Sequence, residues 1–500
     1  MRSRKGCWTC RLRHRKCDES LPACKECTTR HITCHGYDLR APDWTSDERM
    51  LQDELRRIKG AVKENFRRVK RVQNRQIANA LARASRADQG SGSTTATRNE
   101  ILPAETSDSS APTRNTTFRE AQHLVHYLDY IFRLQFHYYV DAPDLGGRGW
   151  LFWLLTRSAP LRHAALTLSA YHQHLTSHYR TEQQEAELLH YHTQALQELR
   201  QVLCRRGVAQ SKTNREDWVE FVAAGLFLIS FEITGRPHLN ALVSVGSELS
   251  PSDLDPQSPD LQSPDVDYVR GMRTAKEFMM VNILWFDLLS CVSTAAAPRA
   301  PYHEWIESGN IDLSRVMGCQ NSTMLAIGDI ATLEAQAASM DSQSLQHSTS
   351  ELEQRILQFI QALESDNQPT PTTRSVTRLF LRGALVQIYT IAAEYNLTAP
   401  EPREAVDKVI DAIDRMDKDL SLRGVPWVLC VAGSIALPAQ QPVFENALLN
   451  VLNQSASGFT NCGTVLRIIK HAWSQQSLHP DQMWTARRAM ADLGISALLI

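Results

Sequence analysis

Six of the chain's 11 cysteines crowd into its first 34 residues, at Cys7, Cys10, Cys17, Cys24, Cys27 and Cys34. The spacing is C-x2-C-x6-C-x6-C-x2-C-x6-C, with a basic loop between the second and third cysteines. A C-x2-C turn delivers two thiolates to one Zn2+ at about 2.3 Å each, which is the geometry of structural zinc sites. Six thiolates are too many for one tetrahedral site, but they complete two sites if two of the sulfurs bridge both metals. The spacing therefore predicts a single compact cluster in which all six cysteines hold two Zn2+ ions. Two other readings use the same residues. A disulfide framework belongs to an oxidising compartment and a signal peptide, whereas Met1-Arg2-Ser3-Arg4-Lys5 leads into the cysteines with no apolar segment, so a reducing interior is expected. A mononuclear four-cysteine site leaves two cysteines idle and gives no role to the x6 spacings.

In cysteine count, spacing and the basic run Arg11-Leu12-Arg13-His14-Arg15-Lys16, residues 7 to 34 resemble the fungal binuclear zinc-cluster transcription factors. That resemblance implies a small zinc-stabilised domain with two short helices, placed in the major groove of double-stranded DNA at CGG-like half-sites. The first helix is expected over Thr9 to Lys16. By motif position Arg13 and His14 are the base-reading residues, and Arg11, Arg15 and Lys16 are phosphate contacts. The family usually carries Lys or Arg where this chain has His14.

Charge is distributed as that reading requires. Residues 1 to 89 hold 22 Lys and Arg against 11 Asp and Glu, leaving 32 against 44 for the remainder, so a basic head is joined to an acidic body although the net charge is only -1. The zinc-cluster DNA-binding domain is expected at 1–40, followed at 41–87 by a connector and an amphipathic helix. Thr45 and Glu48 form a capping-box pattern at that helix's start. Leu51, Leu55, Ile58, Val62, Asn65, Val69 and Val72 recur at three- and four-residue steps over about three heptads, with polar Asn65 at one core position. This stripe fits either a coiled-coil homodimer or a helix docked on its own chain. Residues 88–117 turn to Gly, Ser, Thr, Asn and Pro and are expected to be a disordered linker.

From 118 to 500 helical periodicity dominates, and few segments alternate with period two, so a large all-α regulatory domain is expected. The clearest helical stretches are His123–Tyr139, Ala164–His178, Glu182–Cys204, Trp218–Ile233, Arg273–Val292, Glu351–Leu363, Val376–Tyr395 and Arg403–Asp417. The longest apolar run, Phe221 to Phe231, is about half a membrane span, so no membrane partner is expected. Fragments Tyr130–Phe136, Trp285-Phe286-Asp287 and Gly318-Cys319-Gln320-Asn321 resemble the fungal-specific regulatory domain that follows such clusters in one branch of the family. No HExxH, GxSxG, phosphate-loop or GxGxxG pattern occurs, and Cys204, Cys291, Cys319, Cys430 and Cys462 are scattered, so no catalytic residues are assigned. The histidines of Tyr171–His174 and His190–His192 are expected to be structural. Together these features predict a nuclear, sequence-specific regulator of RNA polymerase II genes, recruiting coregulators through its body. The resemblance further implies control of a metabolic or secondary-metabolite gene cluster. A zinc protein associated with chromatin or RNA, without sequence specificity, and an enzyme carrying a zinc targeting module are the alternatives.

Overall fold

In a computed structural model the chain divides into two compact units, Met1–Ala111 and Pro112–Ile500. The residues described are 6–13, 17–20, 23–29, 32–37, 42, 49–50, 52–58, 117–141, 147–177, 181–208, 219, 222–227, 265–365, 369–417, 420–454 and 460–500. Of the sequence-based expectations, His14, Arg15, Lys16, Thr45, Glu48, Leu51, Val62, Asn65, Val69, Val72, all but the last residue of 88–117, and Trp218–Ile233 apart from 219 and 222–227 lie outside them.

The head holds two short helices, α1 (Trp8–Leu12) and α2 (Lys25–Thr29), and residues 52–58 are also helical. α1 begins one residue earlier than the spacing predicts and ends at Leu12, with Arg13 as its C-cap. The sulfur of Cys7 sets the start, because it accepts the backbone N–H of Cys10 at 3.3 Å and so takes the place of an N-cap oxygen.

The body is helical throughout its described residues, with no strand among them. It opens on α3 (Phe118–His126), whose N-terminus is closed by a reciprocal capping box between Thr117 and Glu120. A π-helical turn, Tyr127–Ile131, joins it to α4 (Phe132–Gln135), and Arg148 donates to the Leu128 carbonyl of that widened turn. The periodicity predicted one helix from His123 to Tyr139, but the backbone leaves the helix at Phe136. The turn that follows lets the rings of Phe132, Phe136, Tyr139 and Trp150 all converge on Phe278, at centroid distances of 4.9 to 5.8 Å. Then come α5 (Gly149–Arg157), α6 (Ala159–Thr176) and α7 (Glu182–Val208), and α6 packs on both α7 and α3.

The long α8 (Val266–Thr294) is apolar enough over its length to cross a bilayer, yet 83% of its most apolar window is buried inside the body, which makes it a core helix. Its Trp285-Phe286-Asp287 segment has a local purpose. Buried Asp287 accepts the N–H groups of Arg299 and Ala300 at 2.7 and 2.8 Å and so folds the following loop back onto the helix. The Gly318–Asn321 fragment is likewise a corner between α10 (Ser314–Met317), which follows α9 (Tyr302–Glu307), and α11 (Asn321–Gln336). Gly318 takes a left-handed φ of 72°, and the Asn321 side chain accepts from Leu313 N and donates to Ile311 O, both at 2.9 Å. The remaining helices are α12 (Ser342–Ser365), α13 (Pro371–Glu394), α14 (Pro402–Asp414), α15 (Pro426–Ser434), α16 (Gln441–Leu452), α17 (Cys462–Leu478) and α18 (Ala486–Asp492), with α13 packing on α12 and α14, and α15 seated chiefly against α13 and α17. Phe380 on α13 stacks on Trp427 of α15, and both rings are fully buried.

Candidate metal centre and nucleic-acid interface

Among its described residues the head has almost no conventional core. Its buried cluster is Cys7, Cys10, Cys24 and Cys27, all fully buried, with Cys17, Ile32, Cys34 and Tyr37 partly buried around them. The sulfurs fall into two sets of four, one of Cys7, Cys24, Cys27 and Cys34 and the other of Cys7, Cys10, Cys17 and Cys24, each with its four Sγ atoms within 4.8 Å of one another. Cys7 and Cys24 belong to both. Individual Sγ–Sγ separations are 3.7 Å for Cys7–Cys24, 3.6 Å for Cys10–Cys24 and 3.8 Å for Cys7–Cys27. A tetrahedron with metal–sulfur bonds of about 2.3 Å has edges of about 3.8 Å, so these separations match four-sulfur sites for zinc. The spacing required two bridging sulfurs without identifying them, and the geometry singles out the first and fourth.

Electrostatics point the same way. Burial pushes the Cys7, Cys10 and Cys27 thiols up, Cys27 to about 12. Packing these three sulfurs together with those of Cys17, Cys24 and Cys34 as thiolates is unfavourable without a cation among them. The donor set, the two overlapping groups and the dry setting therefore fit a binuclear zinc cluster.

Local structure holds the two cysteine-bearing halves together. Fully buried Thr9 on α1 donates its hydroxyl to Thr33 O at 2.8 Å and accepts the N–H of His35 at 2.9 Å. Trp8 N donates to Gly36 O at 3.0 Å, and Gly36 has a left-handed φ of 66°. Tyr37 donates to Ser20 O at 2.8 Å, and its hydroxyl lies 3.8 Å from Cys17 Sγ. Asp18 accepts the N–H of Lys25 at 2.8 Å, where α2 begins. Gly6 has no room for a side chain, because a Cβ there would lie 2.9 Å from Cys17 Cβ. Gly6, Trp8 and Thr9 stand in the opening Gly6–Arg11, which resembles the same branch of the family, but the supporting role of none of these five contacts was read from the sequence. The one legible signal was the C-x2-C-x6-C pattern occurring twice, which implies two similar halves that something must join.

The described members of the basic run are placed differently from one another. Arg11 is exposed, with its guanidinium carbon 3.9 Å from the centre of the Trp8 ring. Arg13 is tucked in, its side chain 10% exposed and its Nη2 3.7 Å from Glu26 Oε1 on α2. In the helical segment 52–58, Glu54 meets His35 Nε2 at 2.9 Å and pairs with Arg57, so this segment is tied to the end of the cluster. Ile58 is buried and Leu55 half-buried within the single chain.

In the body, Cys291, Cys319, Cys430 and Cys462 are buried, and burial raises their thiols. His172 contacts His126, with 3.1 Å between ring nitrogens, and His123 contacts Glu187. Both are helix-to-helix contacts.

Residues 5–43 match the fungal Zn(2)-Cys(6) binuclear cluster domain, and residues 122–500 match the fungal specific transcription factor domain. Among curated relatives, the pestheic acid cluster transcriptional regulator 3 of Pestalotiopsis fici is 28% identical over 97% of each chain. The transcription factor dibT of Pestalotiopsis microspora is 23% identical over 99% of each chain. The trichothecene biosynthesis transcription regulator TRI10 of Trichoderma arundinaceum is 25% identical over 74% of this chain and 96% of its own. No solved structure matches the chain.

Proposed function

The chain belongs to the fungal Zn(2)-Cys(6) transcription factors that carry the fungal specific transcription factor domain, and we propose that it reads CGG-like triplets to regulate RNA polymerase II genes of one biosynthetic gene cluster. Membership already makes it a DNA-binding transcription regulator with two zinc ions, and the family implies a nuclear location. The observation that carries the reading is the pair of four-sulfur groups sharing Cys7 and Cys24, beside the helix that bears Arg11 and is capped by Arg13. Cys7, Cys10, Cys17, Cys24, Cys27 and Cys34 would hold the metals, with Cys7 and Cys24 bridging. Bound zinc supplies the cross-link that replaces a hydrophobic core in so small a segment.

The residues then divide the work. Arg13 and His14 are the proposed base readers, a guanidinium suiting guanine N7 and O6, while Arg11, Arg15 and Lys16 meet phosphates. Residues 1–40 supply readout, 88–117 separate the head from the body in sequence, and 118–500 carry regulation through coregulators. The relatives named for pestheic acid and trichothecene biosynthesis support assignment to a secondary-metabolite cluster. Pairing on two half-sites is part of the reading, within 41–87. The contact of Glu54 with His35 and the burial of Ile58 favour a docked helix as far as Ile58. Pairing then falls to Val62, Asn65, Val69 and Val72.

Selection of random duplexes by the full chain tests the specificity. Enrichment of one CGG-containing site, abolished by Cys17→Ala, is the expected result. Retention of all sequences alike, or of RNA over duplex, would replace it with the non-specific chromatin or RNA reading.

A further inference from the structure

Arg13 is tucked in, its side chain only 10% exposed, where a base reader should be displayed. A guanidinium is permanently charged and carries five N–H donors, so burying it is costly unless those donors are met. Here the side chain is 10% exposed, a carboxylate oxygen of Glu26 lies 3.7 Å away, and its Nη1 is buried with no hydrogen-bond partner among the described residues. The separation from Glu26 is longer than a hydrogen bond, so the pair is electrostatic and loose. Neighbouring Arg11, by contrast, is exposed over Trp8.

We propose that Glu26 is an intramolecular competitor for Arg13. In the DNA-free chain its carboxylate holds the guanidinium between the two halves of the cysteine cluster, and cognate DNA must draw Arg13 away from it. The proposal rests on Arg13 being a base reader, as proposed above. Guanine N7 and O6 together accept two N–H bonds in fixed geometry, a better match for a guanidinium than one carboxylate oxygen at 3.7 Å. The exchange is favourable at a triplet with guanine in register, whereas on other sequences Arg13 stays with Glu26. Glu26 thereby sets the cognate affinity without touching DNA, and it is a specificity-determining residue.

The test uses the full chain, with zinc content measured for every variant, and compares a duplex selected by the wild type with a scrambled one at matched salt. Glu26→Asp keeps the charge but withdraws the carboxylate by one methylene. It should tighten cognate binding about two- to fivefold, the range of a partly exposed ion pair, and leave scrambled binding unchanged. Glu26→Gln should tighten both through the lost negative charge, and the cognate duplex more. In an Arg13→Ala background the Glu26→Asp gain should vanish. Equal gains on both duplexes, gains that survive Arg13→Ala, or weaker cognate binding by Glu26→Asp with zinc retained would each overturn the proposal. If Arg13→Ala weakens cognate binding while neither Glu26 variant alters it, the base-reading role stands and the competitor alone is lost. Wild-type affinity in Arg13→Ala would remove both.

Discussion

At the level of single residues, the head depends on positions with no chemistry of their own. Gly6 shows this most directly. An added methyl would lie 2.9 Å from the Cβ of Cys17, a residue that cannot yield without moving a metal ligand. Overpacking at such a point costs about 1 to 3 kcal/mol. Gly6→Ala should therefore lower the head's hold on zinc by about thirtyfold at the middle of that range, read as faster loss to a chelator with the body's melting unchanged. Wild-type zinc retention would show that Cys17 has more freedom than the packing allows. The six cysteines were legible because thiolate chemistry is written in residue type and spacing. Thr9, Tyr37 and Glu26 were not, because a hydroxyl or carboxylate acquires its role only from the partner that the fold brings to it.

Among the helices, apolar period revealed most of the body's elements, since a stripe recurring every three or four residues must be buried on one side. The misplaced ends have local causes. The helix begun at Phe118 stops at Gln135 so that the aromatic residues after it can turn onto Phe278, and α1 starts a residue earlier than its period because the Cys7 sulfur caps it. Contacts between helices also create a pH dependence that no single segment shows. His172 on α6 faces His126 and Tyr130, and burial, then the charges of His126 and Arg423, push it down to about 4. Burial likewise lowers His123 and His126 and, with the Arg423 charge, brings His137 to about 3. Each folded value lies below the ordinary 6.5, so between that value and the folded one the unfolded chain binds more protons. Stability is therefore full above about 6.5 and falls as pH drops through this window. Melting of the helical signal should shift down between pH 7 and 5, with His172 alone contributing about 1 to 2 kcal/mol. His172→Gln should narrow the shift, and an unchanged pH difference in that variant would show that His172 is not its source.

For the whole molecule, the two units rest on different forces. Among its described residues the head's buried cluster is four cysteines, whereas the body buries a continuous apolar cluster running from Leu124 to Leu499. Hydrophobic burial is unaffected by a chelator, but a metal-held fold is lost with its metal. Stripping zinc from the full chain should abolish binding to the selected duplex while most of the far-ultraviolet helical signal persists, and restored zinc should restore binding. Collapse of the whole helical signal on chelation would show that the body's fold also depends on the metal.

The sequence alone determined the cluster's composition, the count of two metals, the basic character of the head and the helical class of the body. Each of these follows from residue type at short spacing, where the chain's own geometry keeps the groups together. Tertiary structure decided which sulfurs are shared, which arginine is displayed and which is withheld, and which histidines lie against one another. Those outcomes depend on residues brought together across the fold, such as Cys7 with Cys24, Arg13 with Glu26 and His126 with His172. No local pattern encodes them, because the free energy of each contact is set by a partner whose approach is fixed by the packing of everything between.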